Sequence, residues 1–248
     1  MQALLLTATI SVPSGAPIVR VDPLLRLRDY QQTFAFYTDF IGQGLDRIVF
    51  AENTGFDLQT LREIADAKNV ASSVDFISFR GNDFPPTYGR CFGEAMIFDE
   101  VMRSCLRYPV DTIYWKSTGR YQVKNLDRMM KTMPQGVQFY CDLRRRGEMR
   151  WADMRFMAWT RKGYDAFLAN IAPSLREDIN KREGEITLFD LLENRFSTST
   201  LDYARSFTTE PLIDGVRAQD NRNWSLGRQR LVYYARRVQR HVLGRVVF

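Results

Sequence analysis

The sequence predicts an α/β domain organised around a mostly parallel central sheet, with a basic amphipathic helix at the carboxyl terminus. Three observations predict it. Short β-branched or apolar runs end in small or polar residues, a longer helix-like segment follows each of the early runs, and the last 23 residues hold six arginines and no acidic residue.

The first strand is expected over Ala3 to Ile10, followed by a helical spacing of Tyr30, Phe34, Phe36 and Tyr37 within Leu24 to Phe40. DRIVFA, Asp46 to Ala51, reads as the second strand, and Leu58 to Lys68 as a helix with Leu61, Ile64 and Ala65 inward. Val74 to Phe79 is the third strand. A proline-containing loop then leads to a helix from Gly93 to Ser104, with Ala95, Ile97, Phe98, Val101 and Met102 on its apolar side. The fourth strand opens DTIYWKSTGRYQVKN and is expected to break after Trp115 into Lys116, Ser117, Thr118, Gly119 and Arg120. Beyond residue 130, strands are expected at Val137 to Leu143 and Arg155 to Trp159, a turn at Arg144 to Glu148, and helices at Lys162 to Ile171 and Thr187 to Phe196. No repeat or composition break divides the chain, so residues 1–225 are expected to form one domain and Leu226 to Phe248 an appended helix.

A chain of 248 residues with 45% hydrophobic content can bury a large core, which excludes disordered and fibrous classes. No run of about 18 uncharged apolar residues is present to span a bilayer. Three cysteines outside any CxxC pattern predict reduced thiols in a cytoplasmic protein. The single histidine, His241, argues against a zinc site of the usual ligands or a Ser-His-Asp triad. Neither GxGxxG nor GxxxxGK[ST] occurs. The net charge of +6 points to an anionic partner, and the tail alone holds a surplus of that size.

In open parallel sheets ligands bind at the carboxyl ends of the strands. Those ends supply the candidates Thr7, Ala8 and Thr9, then Glu52 and Asn53, then Arg80, and finally Lys116 through Tyr121. The KSTGRY break offers two cations, two hydroxyls and a glycine that lets a ligand approach the backbone, as a diphosphate leaving group requires; a pair of ordinary surface salt bridges is the alternative. Glu52 and Asn53 either bond a base or ribose or close a turn, and Glu94 either belongs to the site or complements a helix dipole. Asp142 and Asp153, among arginines, are either surface ion pairs or a general base, and Asp153 is the preferred base.

LLLTATI, IVFAENTGF, the YGRCFGEAMIFDEVMRS helix, YWKSTGRYQVKN, WADMRFMAWT and PLIDGV, in that order, resemble bacterial glycosyltransferase-like proteins of polysaccharide gene clusters. The resemblance covers roughly residues 3–220. It implies a Rossmann-like nucleotide-sugar fold of GT-A type and sugar transfer from a UDP-, GDP- or CMP-linked donor to a surface-polysaccharide or lipopolysaccharide precursor. The family motifs fall on Thr7, Thr9, Glu52, Asn53, Glu94, Lys116, Thr118, Gly119, Arg120 and Asn125. The Asp-x-Asp metal signature of that fold is absent from the strand reading IYWKSTGRY, so no metal ligands are expected and Lys116 and Arg120 stand in for a divalent cation.

Two other readings are weaker. A sugar nucleotidyltransferase would need a glycine- and arginine-rich loop after the first strand, and a nucleic-acid-binding module would need a basic face on the nearly neutral residues 1–225. The tail alternates Leu231, Val232, Ala235, Val238, Val242 and Val246 with Arg228, Arg236, Arg237, Arg240 and Arg245. Such a helix either packs on the domain or docks at the anionic inner face of the plasma membrane, where a glycan acceptor carried on a lipid would be met.

Overall fold

The computed structural model describes residues 1–16, 18–224 and 226–242; for residues 228, 229 and 239–242 it describes the backbone alone. The expected tail residues Arg228, Arg240, Val242, Arg245 and Val246 therefore lie outside the described side chains.

Strand β1 (Gln2–Ala8) is followed by helix α1 (Pro23–Thr38), β2 (Arg47–Glu52), α2 (Gln59–Ala67), β3 (Val74–Ser78), α3 (Arg90–Ser104) and β4 (Ile113–Thr118). Then come β5 (Gln122–Val123), α4 (Leu126–Thr132), β6 (Phe139–Tyr140), β7 (Leu143–Arg146), β8 (Met149–Ala152), β9 (Phe156–Trp159) and α5 (Arg161–Phe167). The chain continues through α6 (Glu177–Asn180), α7 (Gly184–Thr198), β10 (Tyr203–Ala204), β11 (Ile213–Asp214) and α8 (Arg228–Val242). Among the described residues the central sheet has seven strands in the order β10-β6-β9-β4-β1-β2-β3. Its strands are parallel except β9, which runs antiparallel between β4 and β6. This is the α/β class with a mostly parallel sheet that the alternation of elements predicts.

Residues 3–8 of β1 are all buried, because helices cover both faces of the sheet. Alternate side chains enter two cores. Ala3 and Leu5 pack with α3, α5 and α7, whereas Leu4 and Leu6 pack with Tyr30, Phe34 and Tyr37 of α1 and with Trp115. Asp22 caps α1, its Oδ1 accepting from Leu24 N at 2.8 Å and Leu25 N at 3.3 Å, and Pro23 occupies the first turn. Cys91, Cys105 and Cys141 are free and buried in the α3 core; burial raises the Cys105 thiol to about 11 and the other two well above the ordinary value.

Three boundaries differ from expectation. Strand β4 continues through Lys116 and Ser117 to Thr118, because β1 and β9 flank it on both sides and complete its backbone hydrogen bonds. Helix α3 begins at Arg90 rather than Gly93, which places Glu94 past its first turn. The expected strand at residues 137–143 is two short pieces, β6 and the start of a β7–β8 hairpin, and the turn at residues 144–148 shrinks to Gly147 and Glu148. Gly147 has φ +60°, the positive value that the first position of a tight hairpin loop demands.

Candidate active site

The carboxyl edge of the sheet gathers the ends of β1, β2 and β4, and the antiparallel β9 delivers its amino end, with Asp153 and Arg155 just before it, to the same edge. Thr7 Oγ1 donates to Glu94 Oε1 at 2.9 Å. The fully buried Lys116 ammonium forms an ion pair with Glu94, donates to the Met154 carbonyl, and lies 3.3 Å from Thr118 Oγ1. Glu94 is thus bound to the sheet by a cation and a hydroxyl, not to its helix end.

At the β2 end, Glu52 is completely buried. Its carboxylate accepts from Ile10 N at 3.0 Å, Thr54 N and Phe56 N at 2.9 Å, and the Thr54 hydroxyl at 2.5 Å. Four donors occupy a group with about four lone-pair directions, so Glu52 closes the loop around itself. Asn53 N donates to the Ala8 carbonyl at 3.1 Å, and Asn53 Oδ1 accepts from Thr9 Oγ1 at 2.8 Å. Asn53 Nδ2 is buried with no partner among the described residues. Arg80 is exposed, bridges to Thr54 and lies over Gly55.

After β4 the chain turns on Gly119, whose N–H donates to the Thr7 carbonyl at 2.8 Å. A Cβ there would stand 2.8 Å from that carbonyl and 3.2 Å from the Tyr30 ring, so the missing side chain admits the protein's own backbone. Arg120 then points to the α1 side. Its Nη1 donates to the Val216 carbonyl at 2.8 Å and lies 3.9 Å from Asp29, while its Nε is buried without a partner among the described residues. Lys116, against Glu94 and Phe98 of α3, and Arg120, beside Asp29 of α1, therefore face opposite sides of the sheet. The buried Tyr121 meets Trp224 edge-on at 6.2 Å. Asn125 clamps the late segment, donating to the Glu210 carbonyl at 3.0 Å and accepting from Leu212 N at 2.8 Å.

One buried guanidinium organises the region beyond β9. Arg144 lies 2.6 Å from Asp142, 3.0 Å from Asp153 and 3.4 Å from Glu210. Asp153 also pairs with Arg155, and Glu210 lies 3.8 Å from Arg236. Burial disfavours a charged Asp153, but Arg155 and then Arg144 outweigh it and hold the carboxyl far below the usual carboxylate range. A carboxylate so stabilised is a weak proton acceptor.

Glu185, in the first turn of α7, has the opposite character. Burial pushes its carboxyl up, Arg90 at 3.5 Å pulls against this, and Glu183, Asp153 and Glu94 push the same way as burial. It is a quarter exposed. Sequence reasoning passed over it because KREGEITLFD carries no recognised motif.

A cleft of about 290 Å³ opens beside the Arg144 cluster. Lys124, Arg144, Arg155, Arg230 and Arg236 line it against two acids, Glu210 and Asp214, and Trp224, Tyr233 and Tyr234 add aromatic surface. Arg155 stacks 4.1 Å from the centre of the Trp224 ring. Arg144 Nη1 and Trp224 Nε1 are buried without partners among the described residues. None of the residues singled out from the sequence lines this cleft. Asp153 reaches it through Arg144 and Arg155, and Asn125 through Glu210 and Leu212. The available signal was PLIDGV, whose Pro211 to Asp214 form part of the wall.

On α8, Val232, Tyr233 and Arg236 face the cleft, while Leu231, Ala235 and Val238 are exposed. Among the described residues no helix is long and apolar enough to cross a membrane.

No family model and no curated protein sequence matches the chain. Among solved structures it is similar to the galactosyltransferase LgtC in complex with donor and acceptor sugar analogs, at 10% identity, over 77% of this chain and 70% of that one, with a TM-score of 0.49. It is also similar to a putative nucleotide-diphospho-sugar transferase from Desulfovibrio desulfuricans G20, at 9% identity over 97% and 96% of the two chains, with a TM-score of 0.45. A third is the bifunctional glycosyltransferase WbbM, at 9% identity over 81% of this chain and 38% of that one, with a TM-score of 0.42.

Proposed function

We propose that the protein is a glycosyltransferase that moves a sugar from a nucleotide-linked donor to a hydroxyl of a surface-polysaccharide or lipopolysaccharide precursor. The cleft carries this reading: five cations against two acids, with aromatic faces, at the carboxyl edge of a parallel sheet. A nucleoside diphosphate needs both features, charge to neutralise the departing diphosphate and flat apolar surface for the base. In this reading Lys124, Arg155, Arg230 and Arg236 supply the charge. Lys116, neutralised by Glu94, fixes the floor of the donor edge together with Thr7 and Thr118. The Asn53 carboxamide, with its unmet donor, is placed for the base or ribose. The proton of the acceptor hydroxyl passes to Glu185 in preference to Asp153, since a raised carboxyl accepts a proton more readily than one held down by two guanidiniums. A divalent cation has no Asp-x-Asp to hold it, and Arg144 already neutralises Asp142, Asp153 and Glu210.

The outward face of α8 supports a place at an anionic leaflet. Leu231, Tyr234 and Val238 are 70%, 45% and 59% exposed beside the exposed Arg230 and Arg237, a cation-flanked apolar strip suited to interfacial binding.

Thermal melts with UDP-, GDP- and CMP-sugars test the function. A donor that binds the folded state alone raises the melting temperature by mass action, and transfer to a glycan acceptor should follow with that donor. Melting temperatures unmoved by every donor would sink the proposal.

A further inference from the structure

A second cavity lies across Asp214 from the cleft. Its volume is about 130 Å³, and Asp214 lines both spaces. Asp29, Gln32 and Thr33 of α1 form one wall; Arg120, Gln122 and Asn223 form the rest of its polar lining. The cavity is built and not a surface dimple. Arg120 is 6% exposed, anchored at 2.8 Å to the Val216 carbonyl, and its Nε has no partner among the described residues. Asp29 is fixed in turn by Arg20, whose guanidinium donates to both carboxylate oxygens at 2.5 and 2.6 Å. Gly215 lets the loop close over the site, since a Cβ there would meet the Arg120 carbonyl at 2.4 Å.

This lining selects a chemical class. Side-chain amides and a hydroxyl both donate and accept, the guanidinium donates, and the carboxylates accept, so alternating hydroxyl groups can be bonded in both directions. Two carboxylates against one guanidinium oppose a second anion. At roughly 30 Å³ of liquid volume per water, the space equals about four waters, the scale of one sugar ring. We propose that this cavity is a subsite for a single neutral pyranose, continuous through Asp214 with the nucleotide cleft. The choice of ligand rests on the glycosyl-transfer reading. The ring can belong to the acceptor glycan or to the sugar of the donor, and the recognition chemistry is the same.

The test is saturation-transfer NMR on the full chain with methyl glycosides of glucose, galactose, N-acetylglucosamine and rhamnose, and with methyl glucuronide as the anionic control. Each is measured alone, with UDP, and with the corresponding nucleotide sugar. Expected is transfer to at least one neutral glycoside that survives UDP, exceeds that to the glucuronide, and falls several-fold in Gln32→Leu and in the near-isosteric Thr33→Val while their melting temperatures stay at the wild-type value. Displacement by the nucleotide sugar but not by UDP assigns the ring to the donor; persistence assigns it to the acceptor, and either supports the subsite. Absence of transfer to every neutral glycoside, preference for the glucuronide, or transfer unchanged in both variants overturns it. A UDP-induced melting shift without glycoside binding would remove the subsite alone. Glycoside binding lost in the variants, without any nucleotide response, would keep the subsite and remove the donor cleft.

Discussion

Arg144→Met keeps an unbranched aliphatic stem and deletes the guanidinium that three buried carboxylates share. Asp142, Asp153 and Glu210 lose a partner at 2.6, 3.0 and 3.4 Å respectively. Asp153 retains Arg155 and Glu210 retains Arg236, so the largest loss falls on Asp142, whose side chain is 3% exposed. Removing one partner of a buried pair costs about 3–5 kcal/mol. For a chain of this length about 2–4 °C of melting temperature follows each kcal/mol, so a drop of roughly 6–20 °C is expected near neutral pH. The pH dependence gives a second, signed readout. Asp153 has a folded-state pKa below its unfolded one, so its contribution is present above the ordinary carboxylate value of about 3.9 and is lost as pH falls through the depressed value. Without Arg144 that depression shrinks. Wild type and variant should therefore converge as the solution is acidified from about pH 7 toward about pH 4. Circular-dichroism melts across that range measure both effects. A variant within about 1 kcal/mol of wild type at neutral pH, or a gap that widens on acidification, would refute the view that this guanidinium holds the cluster together.

Arg230→Ala, at an exposed cleft position, should weaken donor binding by about 1.5–3 kcal/mol, roughly ten- to a hundredfold, with an unchanged melting temperature; calorimetry with the donor found in the thermal panel checks this. Glu185→Gln should abolish transfer with donor affinity intact. In wild type the rate should fall as pH drops through the raised Glu185 value, and a pH profile retaining that limb in the residual activity of the variant would move the base elsewhere. Leu231→Asp combined with Val238→Asp should release the protein from anionic liposomes at low salt while leaving donor binding unchanged, as sedimentation would reveal. EDTA should leave most transfer activity in place, and a complete loss restored by Mg²⁺ or Mn²⁺ would show that the reaction needs a cation.

The parallel half of the sheet was legible because burial on both faces writes itself as continuous apolar runs such as ALLL and IVFA, each closed by polar residues. Those closing residues do converge: Thr7, Glu94 and Lys116 meet, as do Thr9 and Asn53. The cleft was not legible, because long-range placement makes it. Arg144 reaches Glu210 across 66 positions, and nothing in CDLRRRGEMRWADMRF distinguishes that arginine from its exposed neighbours Arg145 and Arg146. Lys116 and Arg120 read as a pair because they are close in sequence, yet β4 carries the first toward α3 before Gly119 turns the second toward α1. Spacing along a chain predicts a shared face only while one regular element lasts.

The thiol chemistry of this chain has a practical consequence. With Cys91, Cys105 and Cys141 all buried and all held in the protonated form, maleimide reagents at neutral pH should leave the folded wild-type protein unlabelled. A cysteine placed at Leu231 or Leu226, both exposed, would then be the dominant reactive position without any prior substitution. An environment-sensitive dye there would report the approach of α8 to a lipid surface, while the native thiols would become reactive only when the domain opens, an internal counter for unfolding in the same sample.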